Sequence, residues 1–217
     1  MRINLTAILA LIAAAAAGAV AYLATANADD GEKIDLQSIQ VEEVIFAGGC
    51  FWCVEKDFDQ VVGVVETISG YTGGTTDNPT YKQVSKETTG HYEAVKVVYD
   101  PTVVSYSELV EYFWRHVDPT DDGGQFCDRG QSYETAIFVK PGDERDIAEA
   151  SKAAIEASGV LSDPIVTPIL DAATFWDAED YHQDYYLNNP LRYNYYRRAC
   201  GRDKRVKEVW AKELASN

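Results

Sequence analysis

The chain has 217 residues, four cysteines and a formal net charge of −16 at pH 7. This length suits a single domain with a sizeable hydrophobic core. The strong negative charge argues against a nucleic-acid-binding protein, because the phosphate backbone would repel such a surface.

The N-terminal stretch, residues 1–28, predicts an export signal. Arg2 precedes an uncharged run from Leu5 to Leu23 that is mostly Ala, Leu and Ile. Ala26-Asn27-Ala28 matches the small-x-small pattern of a cleavage site, so we expect cleavage after Ala28. The apolar run is long enough to span a bilayer, and an uncleaved anchor is the alternative. Both readings predict a location outside the cytoplasm, such as the periplasm.

Residues 29–40 form a polar lead-in, and we expect residues 41–217 to form one domain. Its first elements are a strand over Val41–Ala47 and a helix over Cys50–Gln60. Cys50 therefore starts a helix, where unpaired backbone N–H groups and the helix dipole favour an anion. We expect these groups to lower the pKa of its thiol and make it reactive.

The residues around Cys50 support a functional site. Gly48 and Gly49 permit a sharp turn, and Phe51 and Trp52 can wall a small apolar pocket. The alternative is a buried, inert cysteine beside two core aromatics.

A second strand is predicted over Val62–Tyr71, closed by a glycine turn, and a third over His91–Tyr99. Alternation in the third strand places Glu93 on one face with Val95 and Val97. If this is the core face, burial raises the pKa of Glu93 and keeps its carboxyl protonated at neutral pH. The alternative is an ordinary glutamate that reaches solvent at a strand end.

The remaining elements alternate helices and strands. Ser105 and Glu108 form a capping box before a helix, and a long loop covers residues 118–131. The later predicted elements are strand Glu134–Val139, helix Asp143–Ser158, strand Pro164–Leu170 and helix Asp203–Leu214. This order predicts an α+β fold: a ferredoxin-like two-layer sandwich with helices packed on a mixed or antiparallel sheet.

The C-terminal third is rich in tyrosine around His182. A single histidine in aromatic surroundings is more often a packing and hydrogen-bonding residue than a catalyst, and we expect that role for His182.

The four cysteines, at positions 50, 53, 127 and 200, permit two interpretations. An even number in an exported protein favours structural disulfides. A C-x-x-C pair after a strand instead indicates redox chemistry. We expect no metal, because there is one C-x-x-C and the other two cysteines have no neighbouring cysteine or histidine in the sequence.

Six separated motifs, in order from about residue 41 to residue 200, resemble the peptide methionine sulfoxide reductase A family. They are Gly49-Cys50-Phe51-Trp52, Ser69-Gly70-Tyr71-Thr72-Gly73-Gly74, Asn78-Pro79-Thr80-Tyr81, Gly90-His91-Tyr92-Glu93, Asp128-Arg129-Gly130 with Tyr133, and His182-Gln183 with Asn189-Pro190. The resemblance implies a reductase domain over residues 41–217 that converts the S epimer of methionine sulfoxide, free or in proteins, to methionine. It implies no cofactor.

The resemblance also implies the roles of individual residues. Cys50 matches the nucleophile that attacks the sulfoxide sulfur, and Glu93 matches the acid that protonates the oxygen. Tyr81 and Tyr133 match two tyrosines whose hydroxyls hold that oxygen.

Three further positions match residues around the substrate. Phe51 and Trp52 match the aromatic pair that encloses the S-methyl group. Asp128 matches an active-site aspartate, for which we expect a positioning role.

The cysteine that resolves the sulfenic acid is left open, because this chain lacks the glycine-rich tail that carries it in many members of the family. Cys53 is the first candidate, one helical turn from Cys50. Cys200 is the second candidate and Cys127, beside Asp128, the third. The resulting disulfide needs an outside dithiol, which the family takes from thioredoxin or a thioredoxin-like domain.

Two other functions compete with this one. An exported thioredoxin-type oxidoreductase would explain the C-x-x-C, but the candidate for its facing proline loop, Thr167-Pro168, lies far along the chain. A disulfide-stapled secreted binding domain would need no nucleophile. For the reductase we expect a monomer whose partners are oxidised proteins and the reductant, with membrane contact only through an uncleaved N-terminus.

Overall fold

The computed structural model describes residues 40–215 of the chain. The predicted export signal, its cleavage site and residues 29–39 of the lead-in lie outside the described residues. In the described part, no helix combines the length and the apolar character needed to cross a bilayer.

A six-stranded sheet forms the centre of the described domain, in the order β7-β6-β1-β3-β2-β8. Neighbouring strands are antiparallel except β6 and β7, which are parallel, so the sheet is mixed as predicted. A separate ribbon of two short strands, β4 and β5, lies in the long loop. The strands are β1 Glu42–Gly48, β2 Val64–Thr72, β3 Tyr92–Tyr99, β4 Gly124–Gln125, β5 Asp128–Arg129, β6 Thr135–Val139, β7 Ile169–Asp171 and β8 Trp176–Asp177.

Helices pack on this sheet, and the predicted α+β fold is confirmed. Short 3-10 turns over Gln131–Tyr133 and Asp180–His182 join the elements. The α-helices are α1 Phe51–Phe58, α2 Tyr81–Val84, α3 Tyr106–Trp114, α4 Asp143–Ser158, α5 Tyr185–Asn188, α6 Pro190–Cys200, α7 Arg202–Val209 and α8 Ala211–Leu214.

Local sequence signals account for several boundaries. Helix α4 has the predicted bounds. The capping box before α3 is formed, with the backbone N–H of Ser105 donating to Glu108 Oε2 over 2.8 Å and that of Glu108 donating to Ser105 Oγ over 3.3 Å. These bonds satisfy backbone donors that a helix start leaves unpaired.

Other predicted elements were wrong. The strand predicted over Pro164–Leu170 is formed only over Ile169–Asp171, since prolines at both ends of the segment cannot donate to a ladder. The predicted C-terminal helix is divided at Trp210 into α7 and α8. Helix α6 was not predicted, although Pro190 at its first turn is a recognised start signal.

The largest core lies between the sheet and helices α1 and α3. Phe46 of β1 is fully buried, and its ring stacks between Phe58 of α1 and Phe113 of α3, with centroid distances of 5.0 and 5.1 Å. This contact positions the start of α1 over the sheet. The opposite face of β1 is covered more thinly, by a smaller cluster around Ala94 and Phe138.

A buried ion cluster joins the C-terminal helices to α1. Asp57 Oδ1 lies 2.9 Å from Arg197 Nη1, and Asp57 Oδ2 lies 3.6 Å from Arg202 Nε. Arg202 also donates to the carbonyl of Gly48 over 3.0 Å, directly at the end of β1. Helices α6 and α7 are therefore attached to the turn that contains Cys50.

The Phe46 stack yields a stability prediction. Replacing Phe46 with Ala removes the central ring and leaves a cavity, so the free energy of unfolding should fall by about 3–5 kcal/mol. Urea denaturation measures this change. Val62→Ala, at an exposed position, is the control and should change stability by less than about 0.5 kcal/mol. A loss below about 1 kcal/mol for Phe46→Ala would contradict the assigned core.

Candidate active site

Cys50 occupies the N-cap position of α1, after a turn that only small residues fit. Gly49 has a φ of 80°, and a Cβ added there would lie 2.5 Å from Cβ of Gln125. The glycine thus permits both the turn and the close approach of the long loop. Cys50 itself is only 6% exposed.

A small cavity of about 80 Å³ opens on Cys50. The seven residues predicted as catalytic or substrate-binding all line it, and so does one residue that was not predicted, Tyr196. The lining residues are Cys50, Phe51, Trp52, Tyr81, Glu93, Asp128, Tyr133 and Tyr196. The fold therefore brings together side chains from positions 50 to 196.

Glu93 forms the floor of this site. The alternation predicted for β3 is formed, and Glu93 faces the core with 2% of its surface exposed. The backbone N–H of Phe51 donates to its Oε2 over 3.1 Å. Burial raises the pKa of Glu93 to about 8, and this bond only partly opposes the rise. The carboxyl is therefore mostly protonated at neutral pH and can donate a proton.

The thiols of Cys50 and Cys53 hydrogen-bond to each other and titrate together. Burial raises the pKa of Cys50 well above its ordinary value, and its contact with Cys53 adds to this. The same hydrogen bond outweighs burial at Cys53 and, with the charges of Arg202 and Arg197, lowers its pKa to about 7. Burial therefore disfavours a thiolate on Cys50, whereas the neighbouring arginine charges favour one on Cys53.

The expectation that the helix N-terminus lowers the pKa of Cys50 is wrong for this resting site. A helix terminus stabilises an anion by roughly 0.3–1 kcal/mol. Removing a charge from water costs several kcal/mol, and Cys50 is almost fully buried. Desolvation therefore outweighs the helix terminus, and the pKa of Cys50 is raised.

Tyr81 and Tyr133 place two hydroxyls on the cavity. Tyr81 begins α2, where its backbone N–H donates to Glu179 Oε1 over 3.0 Å, and Tyr133 ends a 3-10 turn. The two hydroxyls hydrogen-bond to each other. Burial raises the pKa of both, so both remain protonated donors.

Phe51 and Trp52 form the apolar wall. The indole of Trp52 stacks on Tyr185 with 3.7 Å between centroids, and its Nε1 donates to Nδ1 of His182 over 3.1 Å. Burial lowers the pKa of His182 to about 4, so the ring is neutral and can accept this bond. His182 thus has the packing and hydrogen-bonding role that was predicted.

Tyr196 is the cavity residue that sequence reasoning missed. Its hydroxyl donates to Oδ2 of Asp128, and its side chain lines the cavity beside Cys50. Burial raises the pKa of Asp128, although the bond from Tyr196 and the charge of Arg202 oppose the rise. One of many tyrosines in its segment, Tyr196 has no local pattern that distinguishes it.

Cys127 and Cys200 are joined by a disulfide, and in the described part of the chain Cys50 and Cys53 are the free thiols. The ranking of Cys53, Cys200 and Cys127 as resolving residues stays a prediction. Cys127, Asp128 and Cys200 place three ligand-type atoms within 4.8 Å of one another. Since both sulfurs are bonded to each other, this group offers no thiolate to a metal.

A larger groove of about 620 Å³ lies elsewhere, lined by acidic and aliphatic residues such as Asp59, Asp177 and Leu187. None of its lining residues is a cysteine. Chemistry, rather than size, therefore identifies the smaller cavity as the candidate site.

A family model described as peptide methionine sulfoxide reductase matches residues 42–214. The chain is 52% identical over 169 residues to peptide methionine sulfoxide reductase MsrA of Bacillus subtilis, covering 78% of this chain and 96% of that protein. It is 53% identical over 175 residues to MsrA 2 of Caulobacter vibrioides, covering 81% and 88%. With MsrA/MsrB of Vibrio cholerae it shares 48% identity over 177 residues but spans only 47% of that longer protein.

Solved structures are similar as well. Methionine sulfoxide reductase A of Corynebacterium diphtheriae superposes with a TM-score of 0.62 at 37% identity, covering 70% of this chain and 76% of that one. The reduced form of Mxr1 from Saccharomyces cerevisiae gives 0.63 at 31% identity, covering 70% and 87%.

The buried carboxyl of Glu93 yields a pH prediction. Its folded-state pKa of about 8 lies above the ordinary value, so between these values the folded state binds more protons than the unfolded state. Stability due to this group is therefore lost as pH rises. We expect the unfolding free energy of wild type, relative to Glu93→Gln, to fall between about pH 5 and pH 9.

Urea denaturation at intervals of pH measures this difference. Glu66→Gln is the matched control for loss of one carboxylate, since Glu66 is exposed on the neighbouring strand β2. A difference for Glu93→Gln that stays flat, or rises, over this range would contradict a carboxyl that holds its proton.

Proposed function

This chain belongs to the peptide methionine sulfoxide reductase A family, and we propose that it reduces the S epimer of methionine sulfoxide to methionine with Cys50 as the nucleophile. One observation carries the assignment of the site. A thiol, a protonated carboxyl and two tyrosine hydroxyls converge on a cavity of about 80 Å³ that is walled by Phe51 and Trp52.

The cavity matches the three substituents of a sulfoxide sulfur. The S-methyl group packs on Phe51 and Trp52, and the oxygen accepts hydrogen bonds from Tyr81, Tyr133 and Glu93. The rest of the methionine side chain extends toward solvent. Because the positions of methyl group, oxygen and chain are fixed relative to the Cys50 sulfur, the opposite epimer cannot present its sulfur in the same way.

The first step transfers the sulfoxide oxygen to Cys50. Cys53, with the lower pKa, carries the thiolate in the resting pair and takes the proton of Cys50 as the substrate binds. Cys50 attacks the sulfoxide sulfur while Glu93 donates its proton to the oxygen. The S–O bond breaks, methionine leaves with its sulfur reduced by two electrons, and Cys50 becomes a sulfenic acid, oxidised by two electrons.

The second step closes a disulfide. Cys53 attacks the sulfenic sulfur, the S–S bond forms and the hydroxyl leaves as water, taking the proton held by Cys53. The hydrogen bond between Cys50 and Cys53 supports Cys53 as the resolving residue, and the bond between Cys127 and Cys200 leaves neither of those sulfurs free to attack. An external dithiol, thioredoxin or a thioredoxin-like domain, then reduces the disulfide and becomes oxidised itself.

The protein acts outside the cytoplasm, most simply in the periplasm, as a monomer that repairs oxidised proteins. The uncharged run from Leu5 to Leu23 and the small residues at Ala26 and Ala28 support export. Contact with a membrane is restricted to an N-terminus that stays uncleaved.

The epimer preference is directly testable. With dithiothreitol as reductant, the purified protein should reduce a peptide carrying the S epimer and leave the R epimer unchanged, and Cys50→Ser should have no activity. Chiral chromatography of the remaining sulfoxide gives the result. Equal turnover of both epimers would overturn the proposal, and rapid reduction of insulin would favour the thioredoxin-type alternative.

The resolving cysteine is tested by one turnover without reductant. Mass spectrometry of the digested protein should then find Cys50 bonded to Cys53 and the Cys127–Cys200 bond intact. In Cys53→Ser, Cys50 should instead stay as a sulfenic acid that dimedone labels. A bond from Cys50 to Cys200 or Cys127 would show that the ranking is wrong.

A further inference from the structure

The proposed reaction leaves one cross-link without a role. The disulfide between Cys127 and Cys200 joins the long loop to the last turn of α6, across 73 positions of sequence. Cys127 directly precedes Asp128, and Cys200 lies one helical turn after Tyr196. Each half of the bond is therefore next to a residue of the cavity.

These two residues contact each other in the cavity that Cys50 also lines. Tyr196 donates its hydroxyl proton to Asp128 Oδ2 and lines the cavity beside Cys50. A hydroxyl has one proton and two lone pairs, so Tyr196 can accept from the Cys50 thiol while it donates to Asp128. When Cys50 becomes a thiolate, the hydroxyl can turn its proton to the sulfur.

The loop that carries Asp128 has little structure of its own. Strands β4 and β5 have two residues each, and a ribbon of this size is marginal without other support. Phe126 between them has a φ of 60°, a left-handed conformation that a bulky residue rarely adopts. Hydrogen bonds within the loop, such as those between Gln125 and Asp118 and between Arg129 and Asp121, hold part of this conformation, and contacts from outside the loop add to them.

The outside contacts nearest to Asp128 include those from the junction of α6 and α7. The guanidinium of Arg202 lies 4.7 Å above the ring of Phe126. The backbone N–H of Cys127 points to the Cys200 sulfur at 3.2 Å. The disulfide is the covalent member of this set, and it acts on the residue adjacent to Asp128.

We infer that the Cys127–Cys200 disulfide is a positioning element of the catalytic site, which holds Asp128 and the Tyr196 hydroxyl on the Cys50 sulfur. Tyr196 lines the cavity beside the reacting sulfur and is a further catalytic residue, whereas the two cysteines act through it. The inference rests on the proposed function, because it assumes that Cys50 attacks the sulfoxide sulfur. It separates the four cysteines into one reacting pair and one positioning pair.

The test is a single turnover without reductant. Wild-type protein with two free thiols is mixed with a peptide carrying the S epimer, and the rate of methionine release is followed by rapid quench. In Cys127→Ser/Cys200→Ser this rate should fall roughly tenfold or more, since misplacing a group by about 1 Å can cost a hundredfold. The Cys50–Cys53 bond should still form after release.

Tyr196→Phe provides the second variant, because it keeps the ring and removes only the hydroxyl. Its rate of methionine release should fall to a similar extent, and combining it with the cysteine substitutions should cause little further loss. In both variants the pH midpoint for alkylation of Cys50 should rise, which a change in global stability alone would not produce. Asp171→Asn, which removes an ion pair with Arg145 outside the loop and the cavity, is the matched control and should release methionine at the wild-type rate.

The outcomes separate the possible roles. A cysteine variant that melts at a lower temperature but releases methionine at the wild-type rate would overturn the inference, since the bond would then only stabilise the fold. A cysteine variant that releases methionine at the wild-type rate but does not form the Cys50–Cys53 bond would also overturn the inference. Cys127 or Cys200 would then act in the resolving step. Absence of release from wild type would refute the proposed function itself, and the inference with it.

Discussion

The exclusion of water from one small cavity is the constraint on which the site depends. Glu93 lies on the core face of β3, and the backbone N–H of Phe51 donates to its carboxyl. This bond joins the central sheet to the first turn of α1, so the proton donor and Cys50 are positioned by the same contact. Burial opposes the charged form of every acid in the cavity, which keeps protons on Glu93 and on the tyrosine hydroxyls until a substrate oxygen can accept one.

The same desolvation explains why two thiols are needed where one nucleophile reacts. Burial raises the pKa of Cys50, whereas the charges of Arg197 and Arg202 favour a thiolate on Cys53. Asp57 holds both arginines beneath α1. The C-terminal helices therefore do more than cover the domain: they supply the cations that stabilise the thiolate, the Tyr196 hydroxyl and one end of the disulfide.

Much of the fold follows from local patterns. The alternation of β3 predicted which face carries Glu93, the capping box predicted the start of α3, and the periodicity of α4 predicted both of its ends. Predictions failed where local signals were weak or conflicted with the surroundings. Helix α6 has tyrosine and arginine distributed around it without a clear apolar stripe, and the proline-flanked segment before β7 pairs only where a neighbouring strand reaches it.

By itself, the sequence determined that Cys50 lies at a strand-to-helix turn, which residues share a face with Glu93, and the family motifs that contain most of the cavity residues. These are properties of residue type and short spacing, which backbone geometry converts directly into position. Only the tertiary structure decided that Cys127 pairs with Cys200, that Tyr196 lines the cavity beside Cys50 and that the pKa of Cys50 is raised rather than lowered. Each of these depends on distances between segments far apart in the chain and on the removal of water, and neither quantity is encoded in local spacing.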